Sequence, residues 1–141
     1  MDAKELRIGN MCYNIASGSK EICKVEAIKK TAVQYDSETR QGTCLIQNLE
    51  PIPLTEEWLI KFGMEKYDWM DGCFIKCNNK HLMIQFYHTN IFVFLTKVSK
   101  DSNGHKMNGR DYFLGKRMLK YVHQLQNLYF ALMEKELTVK E

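Results

Sequence analysis

Four residues in one stretch, Cys73, Cys77, His81 and His88, have the types that hold metal ions. Three residues separate each of the first two pairs and six the last. A zinc site needs thiolates and imidazoles converging tetrahedrally, with the cysteine pair on a tight knuckle. Here both cysteines fall in one alternating segment, where ~3.3 Å per residue would set them about 13 Å apart, too far for one ion. The pattern therefore predicts cysteines in a sheet and histidines at turns, and neither a metal nor any other cofactor. Cys12, Cys23 and Cys44 lie among apolar residues in alternating segments with no nucleophile signature around them, which predicts inert packing thiols.

Other catalytic patterns are missing from the chain. Gly9, Gly18, Gly42, Gly63 and Gly72 stand singly, so no phosphate-cradling loop is spelled out. Neighbouring carboxylates occur as Glu56-Glu57 and as Asp36 with Glu38, and these read as helix-dipole partners and loop solvation. The expectation is a protein that is not an enzyme.

Two groups could bind instead. His123 lies on the last predicted helix with Lys120 and Asn127 one turn to either side, a set able to hold an anion or an amide-rich partner, or simply to face water. The window from Lys97 to Lys120 holds seven basic residues against Asp101 and Asp111, a net +5, whereas residues 1–50 carry seven of each sign. Lys106, Arg110, Lys116, Arg117 and Lys120 are its nucleic-acid-binding candidates, with Tyr112 and Phe113 interleaved as base-stacking surfaces; a solvated hairpin tip running into a helix start is the plainer reading. The whole-chain charge of +3 does not by itself argue for nucleic acid.

The elements that must position these groups follow from periodicity. With 45% hydrophobic and 26% charged residues, the 141-residue chain has the composition of a globular protein, and a domain of this size buries roughly 70% of its unfolded surface without a metal or disulfide. Its first residues carry charges of both signs with no apolar run behind them, so no export signal is expected, and five cysteines in such a chain favour reduced thiols. No apolar run approaches the ~18 residues needed to cross a bilayer. The expected location is cytoplasmic, with no membrane partner.

Short strands are predicted at Ile8–Ile15, Ile22–Ile28, Thr31–Tyr35 and Thr43–Leu49, which suit a small SH3-like barrel over residues 1–50. Pro51 and Pro53 mark a boundary. Thr55 then caps a two-turn helix carrying Trp58, Leu59 and Phe62 and ended by Gly63. Strands at Cys73–Cys77, Leu82–His88 and Ile91–Val98, with a fourth ending near Leu114, form an antiparallel meander; apolar residues on both faces of Ile91–Val98 place it mid-sheet. Met118, Val122, Leu125, Tyr129 and Leu132 define a long amphipathic helix within Lys116–Glu136, gripped on most of its circumference and layered on the meander. The fold class is α+β: a β-barrel-like half over 1–50, then helix, meander and long C-terminal helix over 51–141, the two able to form one compact unit.

Three segments carry a resemblance. Glu5-Leu-Arg-Ile-Gly-Asn10, Glu50-Pro-Ile-Pro-Leu-Thr-Glu-Glu-Trp-Leu-Ile-Lys-Phe-Gly63 and Lys120-Tyr-Val-His-Gln-Leu-Gln-Asn-Leu-Tyr-Phe-Ala-Leu132 resemble a family of small proteins of bacteriophages and integrated mobile elements in anaerobic gut bacteria. After Leu132 the chain reads Met133-Glu-Lys-Glu-Leu, where family members more often carry a small residue and glycine before Glu-Leu, which loosens the expected helix end. No activity is established for the family, so the resemblance assigns a phage or prophage origin and no functional residue. The combined expectation is a non-catalytic accessory protein that binds a host or phage protein. The alternative is a nucleic-acid-binding module using the basic stretch, and a weaker third is a hydrolase whose site assembles only on folding.

Overall fold

The chain is described by a computed structural model covering residues 1–66, 72–77, 81–87, 90–96, 98–100, 106–108, 112–113 and 119–140. It is α+β and its sheets are antiparallel. Two compact units divide it: Met1–Leu54 with Lys120–Thr138, and Thr55–Leu119 with Val139–Glu141. The long helix therefore belongs with the amino-terminal strands, not with the meander as expected, and the division follows Leu54 instead of Glu50.

In the first unit, strands β1 (Met11–Asn14), β2 (Glu21–Ile28), β3 (Ala32–Ser37), β4 (Gln41–Leu45) and β5 (Leu49–Glu50) form one sheet in the order β4-β3-β2-β1-β5. Period-two alternation sends Cys12, Cys23, Val25, Val33, Tyr35 and Cys44 inward, where they pack with Leu6, Ile46 and Leu49. A register shift between Val25 and Ala27 bulges β2, a device that bends a strand and tightens its twist. The expected strand at Thr43–Leu49 is split: Ile46–Asn48 turns as a 3-10 helix that buries Ile46 and carries the chain to β5, which pairs with β1. The closed barrel is corrected as well, since β4 and β5 remain the two edges of the sheet. At the β3–β4 hairpin, Ser37 and Thr39 hydroxyls and the Arg40 guanidinium all donate to the Glu21 carboxylate, fixing the start of β2 to the turn and holding that carboxyl below its ordinary range.

Helix α2 (Val122–Met133) starts later than periodicity suggests because the residues before it act as a strand. Pro53 and Tyr121 form an antiparallel bridge, with Leu54 N–H donating to Lys120 O at 2.9 Å and Val122 N–H to Ile52 O at 2.9 Å. Gln124 then reaches back, its Oε1 accepting from Lys120 and Tyr121 N–H, as the third residue of a capping box does. The helix ends where Glu134 takes a left-handed conformation (φ 55°) and its N–H closes on Phe130 O. Val122, Leu125 and Tyr129 are buried as their spacing requires. The exposed positions differ from those expected: Phe130 is 37% exposed, while the expected polar stripe includes His123, buried at 1%.

In the second unit, α1 (Glu56–Lys61) follows Thr55, buries Trp58 and Leu59, and passes through buried Phe62 to Gly63 at φ 70°. Thr55 occupies the cap position without a side-chain hydrogen bond. Strands β6 (Glu65–Lys66), β7 (Cys73–Cys77), β8 (His81–Tyr87) and β9 (Asn90–Thr96) make the meander, β10 (Val98–Lys100) pairs with β11 (Lys106–Asn108), and β12 (Tyr112–Phe113) adds to β9. β9 lies inside the sheet between β8 and β12, as expected, and in the neighbouring β8 the consecutive Leu82, Met83 and Ile84 are all buried. Among the described residues no helix is long and apolar enough to cross a membrane.

Leu125→Asp tests the helix face. Leu125 has no exposed surface, and an unpaired charge there would consume most of a ~5–15 kcal/mol stability. The expected result is unfolded or aggregated protein in a circular-dichroism melt, whereas Phe130→Asp should melt cooperatively.

Candidate functional site

Among the described residues, the densest polar constellation lies in the first unit, where the Glu5–Asn10 segment meets α2. Arg7 and Asn10 close a turn through Asn10 N–H to Arg7 O, with Gly9 at φ 90° in the position that favours glycine. The segment's groups are then taken up by the helix. Gln126, 2% exposed, accepts from Met11 N–H at 2.8 Å and donates through Nε2 to Gly9 O at 3.0 Å and Leu137 O at 3.1 Å. Asn10, fully buried, donates to Asn127 Oδ1 at 2.9 Å and accepts from Arg7 N–H at 2.8 Å; Asn127 in turn donates to Glu5 O at 2.7 Å. The bond to Leu137 O is buried and most of the others are partly so, and a buried polar group left without its partner is costly.

Arg7 lies at the rim of this seam. Its guanidinium stacks 3.6 Å from the centre of the Phe130 ring and bonds Glu136 at 3.0 Å. With Ile8, Gly9, Lys24, Glu136 and Thr138 it lines an open cleft of about 460 Å³. Ile8 is 57% exposed. Lys24 also faces Glu26, at 2.8 Å.

The structure separates the candidate residues sharply. His123, expected on a polar stripe, is corrected to a buried residue: its ring stacks on Tyr121 at 5.8 Å, its Nε2 is 3.9 Å from Glu5 Oε2, and neither ring nitrogen has a hydrogen bond. Burial holds its pKa below the ordinary 6.5, and Glu5 opposes that. Asn127 is half-buried and committed to Asn10 and Glu5, not offered to a partner. Lys120 is exposed, with its backbone used by Leu54 and Gln124. Lys106 lies in β11, while Arg110, Lys116 and Arg117 lie outside the described residues. Cys73 and Cys77 share β7, as expected; Cys77 is the register partner of His81, and His88 is outside the described residues. Among the described residues no group of three or more His, Cys, Asp or Glu side chains is gathered for a metal.

Cys12, Cys23 and Cys44 are buried free thiols. Desolvation pushes Cys12 and Cys23 up to about 12 and raises Cys44, so all three stay protonated at neutral pH, the opposite of an activated nucleophile.

Gln126 and Asn10 are not among the residues that motif and spacing single out. Gln126 has a visible signal, because it stands four residues after Val122 and three before Tyr129, a polar residue on the apolar face. Asn10 reads only as a strand-breaking turn. No protein-family model, curated protein or solved structure matches the chain.

Gln126→Leu should lower unfolding free energy by about 2–4 kcal/mol in urea titrations, since it orphans one amide and two carbonyls at ~1–3 kcal/mol for a fully buried group. At pH 8, iodoacetamide should label Cys12, Cys23 and Cys44 in urea and leave them unlabelled in native buffer, read by peptide mass mapping.

Proposed function

We propose that this is a non-catalytic accessory protein of phage or mobile-element origin that works in the cytoplasm by binding a host or phage protein. One observation carries the reading. Within Glu5–Asn10, Leu6 is buried, Arg7 is stacked and ion-paired, Gly9 supplies the turn, Asn10 is bonded inside, and the Glu5 carbonyl is held by Asn127. Ile8 alone has no internal role, stands 57% exposed beside the cleft, and is presented by a turn anchored at both ends. An apolar side chain fixed in that way suits contact with another protein.

The sheet is read as SH3-like. What supports this is the strand order β4-β3-β2-β1-β5 with a 3-10 turn between β4 and β5, an arrangement that serves many binding modules. The binding reading also draws on the thiols, His123, Gln126 and Asn127 all being engaged or buried within the fold.

Affinity capture with the tagged full chain from phage-infected host cells tests the proposal. A partner retained by the parent should bind Ile8→Asp on the order of tenfold more weakly, with both proteins melting alike. Equal retention would overturn the assignment of Ile8. If nucleic acid is the partner instead, binding should weaken steeply with salt, and changing Lys106, Arg110 and Arg117 together to Ser should flatten that slope by about two to three units. Our reading expects no such complex at physiological salt.

A further inference from the structure

His123 is placed where a charge would be poorly received. It is the second residue of α2, so the positive end of the helix dipole disfavours a cation there. Its ring is 1% exposed, both nitrogens lack a hydrogen bond, and one face is covered by Tyr121. Of the charged groups that face it, the Met1 amino group disfavours a second positive charge, and the Glu5 carboxylate favours one from 3.9 Å. Glu5 is 55% exposed, and water screens much of its pull. The amide of Asn127, one turn along, is committed to Asn10 and Glu5 O.

We propose that His123 makes the seam between α2 and the Glu5–Asn10 segment a proton-sensitive joint: neutral imidazole keeps it closed, and imidazolium loosens it. The neutral ring stacks on Tyr121, with the Glu5 carboxylate of the 3-10 turn at Ala3–Glu5 3.9 Å from Nε2. The charged ring needs water or a carboxylate closer than Glu5 at 3.9 Å, and displacement of the 3-10 turn from the helix would admit water to it. That motion pulls on the Asn127 to Glu5 bond and, through Leu6 and Arg7, on the Asn10 turn.

The sign follows from linkage. A histidine whose closed-state pKa lies below its open-state value binds more protons when open, so closure is fully favoured above the open-state value near 6.5 and is lost as pH falls through it toward the lower closed-state value. Each pH unit between the two titrations raises the open fraction by about tenfold.

Proton NMR of the full chain between pH 7.5 and 5, with hydrogen exchange corrected for intrinsic rates, tests this. His123 should titrate below 6.5, and the Arg7 and Met11 amides, which Asn10 and Gln126 accept, should lose protection over the same range. His123→Phe should keep both amides protected at pH 5, and Glu5→Gln should move the His123 titration lower. His123 titrating at 6.5 or above, or amide protection falling equally in His123→Phe, would overturn the proposal. Should His123→Phe fail to fold, an unmoved titration in Glu5→Gln would overturn it equally.

Discussion

The first unit depends on one side-chain amide. An open sheet with short edge strands cannot satisfy the backbone of the segments that run onto and off it, and any such group sealed from water is costly. Gln126 answers this at three places together, since its oxygen takes the first amide of β1 while its nitrogen holds the Gly9 carbonyl before that strand and the Leu137 carbonyl after the helix. A hydrophobic residue there would pack as well and leave all three groups unpaired. The helix is therefore fastened as well as packed, and the turn at Arg7–Asn10 is fixed relative to it.

That fastening explains why segments far apart in sequence meet. Ile52 and Leu54 pair with Lys120 and Val122, so the chain leaves the sheet and returns to it along the same backbone ladder. The insertion of the second unit between Leu54 and Lys120 leaves this closure intact because the bonds lie on the first unit's side of both crossings. Loop-closure entropy grows only slowly with the length of the inserted chain, which makes such an arrangement thermodynamically accessible.

Much of this was legible in residues. The alternation of Cys23, Val25 and their polar neighbours marks β2, the cap position at Thr55 and Gly63 bound α1, and Val122, Leu125 and Tyr129 mark the buried face of α2. The errors share a physical origin. Propensity describes local conformation, and Lys120 and Tyr121 are extended because Ile52–Leu54 offers them partners, a non-local fact. In the same way a histidine flanked by lysine and asparagine reads as solvated, and its burial, with Tyr121 stacked on it and Glu5 approaching from far along the chain, depends on tertiary contacts. The split of Thr43–Leu49 is subtler, because Ile46 keeps its apolar character while the backbone turns. The candidate site was least legible, since Ile8 becomes conspicuous only once each neighbour's internal role is known.

The same interactions bear on how a binding surface could be built here. A turn whose crest carries an exposed isoleucine would, if mobile, lose affinity to the entropy of ordering it. Gly9 N–H to Val25 O at 2.7 Å, Asn10 O to Val25 N–H at 2.9 Å and the Gln126 bond to Gly9 O order that turn before any partner arrives. The stacking of Arg7 on Phe130 adds a rigid, partly charged wall beside it, and the Arg7–Glu136 pair keeps that wall close to neutral. A partner of the kind proposed would therefore meet a preformed apolar crest with little net charge near it, a surface that would select by shape more than by long-range attraction, and whose association would depend only weakly on salt.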